Sequence, residues 1–102
     1  MRVGIEAINV YAGCATFDVR ALFEARRLDV KRFDNLMMQR KSVGLPCEDA
    51  VTHAVNAARP LIAALSADER GRIDLVIAAT ESGIDFGKAL STYVHEQLEL
   101  PR

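Results

Sequence analysis

The stretch Thr80-Glu81-Ser82-Gly83 places a carboxylate directly after an apolar run, Ile73 to Ala79, in which only Asp74 is charged. An apolar run of that kind reads as a strand, and the residues after Gly83 lead into a helical pattern. In open α/β sheets, ligands and chemistry collect beyond the carboxyl ends of strands. A carboxylate held there in a half-buried crevice can work as a general acid or base. The same carboxylate near a helix N-terminus also does something simpler: it offsets the positive end of the helix dipole. Position alone leaves both readings of Glu81 open, and the dipole reading is the plainer one. Gly83 and Gly87 flank the turn. They supply backbone freedom, or they let a substrate come close to the chain.

Other residue types with chemical potential are sparse. The two cysteines, Cys14 and Cys47, are not in a CxxC arrangement and are too few for a disulfide framework. Each reads as a reduced, partly buried small side chain. Cys47 falls near a helix start, where the dipole can activate a thiol; this is the minor reading. His53 and His95 have no second His or Cys at i+4, so paired-histidine metal spacing is absent. Arg40-Lys41 reads as solvated surface, with a phosphate or an acidic partner as the alternative.

These residues need elements to hold them. Val3, Ile5 and Ala7 alternate with Gly4, Glu6 and Ile8, and apart from Asn9 the run continues apolar through Val10 and Tyr11. That predicts a strand ended by Gly13. Asp18 reads as a helix cap, followed by Val19, Leu22 and Phe23 at helical spacing. Asp29 reads as a second cap, with Val30, Phe33, Leu36 and Met37 as the stripe behind it. Residues 39–46 read as a loop. Val51, Ala54, Val55, Ala58, Leu61, Ile62 and Leu65 form one helical face, and Pro60 inside it is expected to kink or divide that helix. Asp68 to Arg72 reads as a charged turn. Residues 73–79 read as a central strand covered on both faces. A last helix is expected from about Phe86 to Leu98. Strand, helices, long helix, strand, helix argues for a βαβα unit of an α/β fold with parallel strands. Two such strands need neighbours that these elements do not provide, so the sheet reads as incomplete.

At 102 residues the chain has room for one small domain, residues 1–102. A net charge of −1 gives no basic footprint for nucleic acid. Its apolar runs fall far short of a membrane span. The start, Met1-Arg2-Val3-Gly4-Ile5-Glu6, lacks an apolar leader core. The expectation is a cytoplasmic protein with neither nucleic-acid nor membrane partners.

The segments "VGIEAINVYAG", "LDVKRFDNLMM", "VGLPCEDAVTHAVNAARP" and "ATESGIDFGKALSTYVHEQLEL" occur in this order and together span essentially the whole chain. They resemble 3-hydroxy-3-methylglutaryl-CoA synthases. More closely, they are similar to the synthase homologues that install β-branches in bacterial polyketide assembly lines. The TES-G-ID-GK run carries the most specific part of the resemblance.

That family has the thiolase fold and uses a cysteine nucleophile, a histidine and a glutamate. The resemblance implies that Glu81 is the general base. It would take a proton from the methyl of an acetyl group on the enzyme cysteine, and the carbanion would add to the β-ketone of a second thioester. It also implies that Asp29 and Val30 line the thioester or pantetheine channel, against the plain reading of Asp29 as a helix cap. No cofactor is implied beyond phosphopantetheine thioesters on acyl carrier proteins or coenzyme A. Neither Cys14 nor Cys47 falls at the nucleophile's place. The catalytic cysteine and histidine are expected in the remainder of a synthase, on a partner chain or a further segment, and complete units are expected to form homodimers. Three alternatives stand beside this. One is a primary-metabolism synthase using acetyl-CoA and acetoacetyl-CoA. Another is a non-catalytic scaffold for a synthase-like partner. The last is a small free-standing binding domain, which the unpaired sheet edges disfavour.

Overall fold

A computed structural model describes residues 3–29, 31–32 and 37–101. The chain divides into two compact units, Ala12–Cys47 and Met1–Tyr11 with Glu48–Arg102.

In the first unit, Gly13 turns the chain at φ 75°, a left-handed conformation that glycine adopts without strain. Strand β1 (Ala15–Asp18) follows and runs directly into helix α1 (Val19–Ala25). Asp18 caps the helix as expected: its backbone is extended and its carboxylate accepts the Ala21 N–H at 2.8 Å. Val19, the first helical residue, is buried. Strand β2 (Arg40–Val43) pairs antiparallel with β1, setting Asp18 opposite Arg40 and Phe17 opposite Lys41. This corrects the reading of residues 39–46 as a loop throughout. Arg-Lys-Ser-Val has no apolar alternation, because β2 is exposed along its whole length while only Ala15 and Phe17 of β1 are half-buried; backbone pairing supports it and sets the opposite charges of Asp18 and Arg40 across from each other. The second stripe lies largely outside the described residues, which exclude Val30 and positions 33–36.

The second unit is built on helix α2 (Ala50–Ala63). Asp49 caps it, accepting the Thr52 N–H at 2.7 Å. Pro60 does not divide it. The proline ring has no N–H for the carbonyl four residues back, but it sits in the last turn, where one lost bond is tolerated. A one-turn helix, α3 (Ala67–Arg70), replaces the expected charged turn. Ser66 and Glu69 close it with a reciprocal capping box. The final helix, α4 (Leu90–Gln97), begins four residues later than the pattern suggests. Val55 on α2 meets Val94 on α4, with Leu98 and Leu100 completing the buried cluster; Val51, Ala54, Ala58 and Ile62 pack against it from the predicted face of α2.

The two segments read as parallel strands form no strand pairing. Among the described residues the only sheet is β1 with β2. From 75 to 78 the chain keeps a two-residue alternation: Val76 and Ala78 turn inward, while Leu75 and Ile77 stand exposed. One face is therefore covered by the helices and the other is bare. Val3, Ile5, Ile8 and Val10 are each more than 80% exposed. Apolar strands without hydrogen-bonded neighbours are what an incomplete sheet leaves behind.

Candidate functional site

Glu81 lies in the irregular segment between Ala79 and helix α4, and its side chain is exposed. The turn around it is shaped by the Ser82 N–H, donated to Thr80 Oγ1 at 3.0 Å. Neither flanking glycine takes a positive φ. A Cβ on Gly83 would come no closer than 3.8 Å to another atom, and one on Gly87 no closer than 3.6 Å, both ordinary contacts. Backbone freedom is thus not what these positions require within this chain.

Asp85 organises the rest of the loop. Its Oδ1 accepts the Gly87 N–H at 2.7 Å and the Lys88 N–H at 3.3 Å. Its Oδ2 accepts the Tyr93 hydroxyl at 2.8 Å, reaching onto α4. The Lys88 ammonium stands 4.1 Å above the centre of the Tyr93 ring. The Gly87 N–H, and next the Tyr93 hydroxyl, hold the Asp85 carboxyl below its ordinary pKa. The same bond raises the phenol of Tyr93, because the hydroxyl donates to a carboxylate. Asp85 was not singled out from sequence. Its signal was available as Asp-Phe-Gly just before a helix, the pattern of an aspartate bonding its own backbone two residues on.

Beside this loop a groove of about 410 Å³ runs between α2 and α4, lined by Thr52, Asn56, Arg59, Ile84, Tyr93 and Gln97 among others. Glu81 does not line it.

Asp29 belongs to the other unit. Its Oδ1 accepts the Lys31 N–H at 3.0 Å and its carbonyl accepts the Arg32 N–H at 3.1 Å, as a helix-capping aspartate does. Val30, read with it as a substrate contact, is outside the described residues. Arg40 and Lys41 are exposed on β2.

Cys14 and Cys47 are both free and exposed, which corrects their reading as partly buried side chains. Cys14 stands directly before β1, and Cys47 sits in a surface turn before the Asp49 cap. His53 Nε2 lies 3.8 Å from Glu48 Oε2 and its ring meets Tyr11 edge-on at 5.4 Å. His95 Nε2 is 3.1 Å from the Pro101 carbonyl. Among the described residues no three His, Cys, Asp or Glu side chains gather as a metal site, and no helix is long and apolar enough to cross a membrane.

No protein-family model matches the chain. Individual proteins do. A polyketide biosynthesis 3-hydroxy-3-methylglutaryl-ACP synthase, PksG of Bacillus subtilis, is 59% identical over 99 residues, which is 97% of this chain and 24% of that protein. The hydroxymethylglutaryl-CoA synthase of Enterococcus faecalis is 35% identical over 96 residues, 93% of this chain and 24% of its own length. Among solved structures, PksG superposes with a TM-score of 0.90 at 58% identity, covering 97% of this chain and 25% of that one. The HMG synthase of the curacin biosynthetic pathway gives 0.88 at 56% identity, with the same coverage. That synthase is also solved in complex with acetyl donor-ACP. The chain spans about a quarter of the length of the relatives it matches. The α/β backbone matches the N-terminal part of the thiolase-like PksG structure, and sequence and backbone together identify the chain as a segment of a 3-hydroxy-3-methylglutaryl-CoA synthase-like protein, nearer to the polyketide-biosynthesis member than to the Enterococcus one.

Proposed function

We propose that residues 1–102 form one segment, the N-terminal part of a thiolase-fold synthase domain that adds an acetyl-derived carbanion to the β-ketone of a carrier-bound thioester in polyketide β-branching. The observation that carries this reading is the 59% identity with the polyketide-pathway synthase across nearly the whole chain. Glu81 is the general base. Its carboxylate takes a proton from the methyl of an acetyl thioester, the C–H electrons pass into the enolate, and the enolate carbon bonds to the ketone carbon of the second substrate. The resulting alkoxide is protonated, and hydrolysis of the first thioester frees the enzyme.

An acetyl methyl is a very weak acid, so its base must stand within hydrogen-bond reach in a site that excludes water. Glu81 is exposed here. The walls of that site, the nucleophilic cysteine and the histidine therefore come from the remainder of the synthase, as a further segment or a partner chain. Complete units pair as homodimers. Asp29 and Val30 contact the pantetheine arm of the substrate, and acyl carrier proteins deliver it, with Arg40 and Lys41 available to their acidic surface. The protein works in the cytoplasm with no cofactor of its own.

The test is Glu81→Gln in the assembled enzyme. Loss of a general base is worth about 10²–10⁴-fold in rate. Retention of full turnover would remove the catalytic reading and leave a scaffold role. A second reading, a primary-metabolism synthase, draws on the 35% identity with the Enterococcus enzyme. Comparing turnover of acetyl-CoA with that of acetyl carrier protein separates the two, and the polyketide reading requires preference for the carrier-bound donor.

A further inference from the structure

Helix α4 begins without a side-chain cap: Ala89 occupies the N-cap position and makes no such bond. What fixes the chain as it enters α4 is Asp85. One carboxylate oxygen gathers the N–H groups of Gly87 and Lys88, and the other takes the Tyr93 hydroxyl from the first turn of the helix. Lys88 over the Tyr93 ring adds a second tie between the same two pieces. Next to Asp85, Ile84 joins Tyr93 in lining the groove against α2. Upstream of these ties are Gly83 and Ser82, the latter already turned onto Thr80. The hydrogen bonds that fasten the Glu81 loop at its downstream end thus converge on one carboxylate.

We propose that Asp85 is the positioning residue for Glu81: by tying the loop from Thr80 to Lys88 onto helix α4, it sets where the Glu81 carboxylate stands relative to the acetyl methyl. The inference rests on the reading of Glu81 as the base. Asp85 touches no reacting atom. All of its bonds lie at the surface, where exposed hydrogen bonds contribute little net stability. Their effect is on geometry, and a base displaced by about 1 Å loses about 100-fold in rate. The lowered Asp85 carboxyl and the raised Tyr93 phenol agree with a bond made to the ionised carboxylate.

The experiment uses the complete synthase that contains this sequence and reads two steps separately. Acetylation of the enzyme is followed by intact mass, and proton removal by uptake of solvent deuterium into the acetyl methyl. Asp85→Ala should leave acetylation nearly unchanged and slow deuterium uptake about 100-fold. Asp85→Asn retains an oxygen for the Gly87 and Lys88 N–H groups and should recover most of that loss. Tyr93→Phe removes only the Asp85 bond to α4 and keeps the ring under Lys88, so it carries the test if Asp85→Ala does not fold; it too should slow uptake and spare acetylation. Equal slowing of both steps, or unchanged uptake, would overturn the positioning role. Glu81→Gln is the control: if it abolishes uptake while Asp85→Ala does not slow it, only the positioning role falls. If Glu81→Gln itself takes up deuterium at the normal rate, the base reading falls and the positioning role with it.

Discussion

Arg70 and Leu98, 28 residues apart, are joined by the Arg70 guanidinium, whose Nη2 donates to the Leu98 carbonyl at 2.6 Å and to the Glu99 carbonyl at 2.8 Å. These are carbonyls at the C-terminal end of α4, which no helical N–H can reach. A cation there also meets the negative end of the helix dipole. Arg70→Ala should destabilise the protein by about 1–2 kcal/mol in chemical unfolding. Arg70→Lys should recover only part of this, because a single ammonium on a flexible stem holds two carbonyls less well than the planar guanidinium. Equal stability of all three proteins would show that the clamp contributes nothing.

The same helix end carries strain. Glu99 has φ 51°, a left-handed backbone for a residue with a Cβ. It is imposed by the closing bonds of α4, Glu99 N–H to the Glu96 carbonyl at 3.0 Å and Leu100 N–H to the His95 carbonyl at 3.2 Å. Arg27 repeats the arrangement after α1, with φ 53° and bonds to the Glu24 and Phe23 carbonyls from Arg27 and Leu28. Glycine is the usual residue there. Glu99→Gly and Arg27→Gly should each raise stability by up to about 1 kcal/mol, the left-handed cost being only partly offset by glycine's greater entropy when unfolded. A fall in melting temperature for both would contradict this.

Pro60 is the converse case. It lies in helical backbone but cannot donate to the carbonyl of Asn56. Pro60→Ala restores that bond and should stabilise by about 1–3 kcal/mol. Thermal unfolding measures it, and an unchanged or lower midpoint would show that the proline is accommodated without cost.

Acid should weaken both helix caps and the loop tie. Asp49 is lowered from 3.8 chiefly by the Thr52 N–H, Glu69 from 4.5 by the Ser66 hydroxyl, and Asp85 from 3.8 by the Gly87 N–H. A depressed folded pKa means that the unfolded chain binds protons first. Stability from these groups is therefore complete above their ordinary values and is lost as the pH falls through the lower, folded ones. Unfolding curves between pH 6 and pH 2, compared with an Asp49→Asn variant, should show a shallower acid loss in the variant. Parallel curves would exclude a contribution from the Asp49 cap.

The parts of this fold legible in the sequence are those whose signals are local. Asp18 before Val19, and the apolar face from Val51 to Ile62, follow from capping and a 3.6-residue period, and the structure places both as expected. The pairing of Arg40–Val43 with Ala15–Asp18 was not legible, because a strand exposed along its whole length, as β2 is, leaves no apolar rhythm. The readings of 3–11 and 73–79 as strands depended on neighbours that the chain does not supply, and no ladder forms there. At the site, Glu81 stood out as a carboxylate after an apolar run. Asp85 did not, although it bonds both the loop backbone and α4, because its partners are two backbone amides and a tyrosine eight residues on.

The bare rows at Val3, Ile5, Ile8 and Val10, and at Leu75 and Ile77, also set the colloidal behaviour of the polypeptide. Extended apolar rows with open backbone edges recruit other strands, including those of identical chains. Glu6 and Asp74 each place a charge beside these bare residues, the kind of gatekeeper that slows such growth without covering the surface. At rising concentration the 102-residue chain should therefore scatter light through self-association, and Glu6→Val or Asp74→Val should bring the onset to lower concentration. Supplied with the strands that complete the sheet, the same rows become the middle of a core.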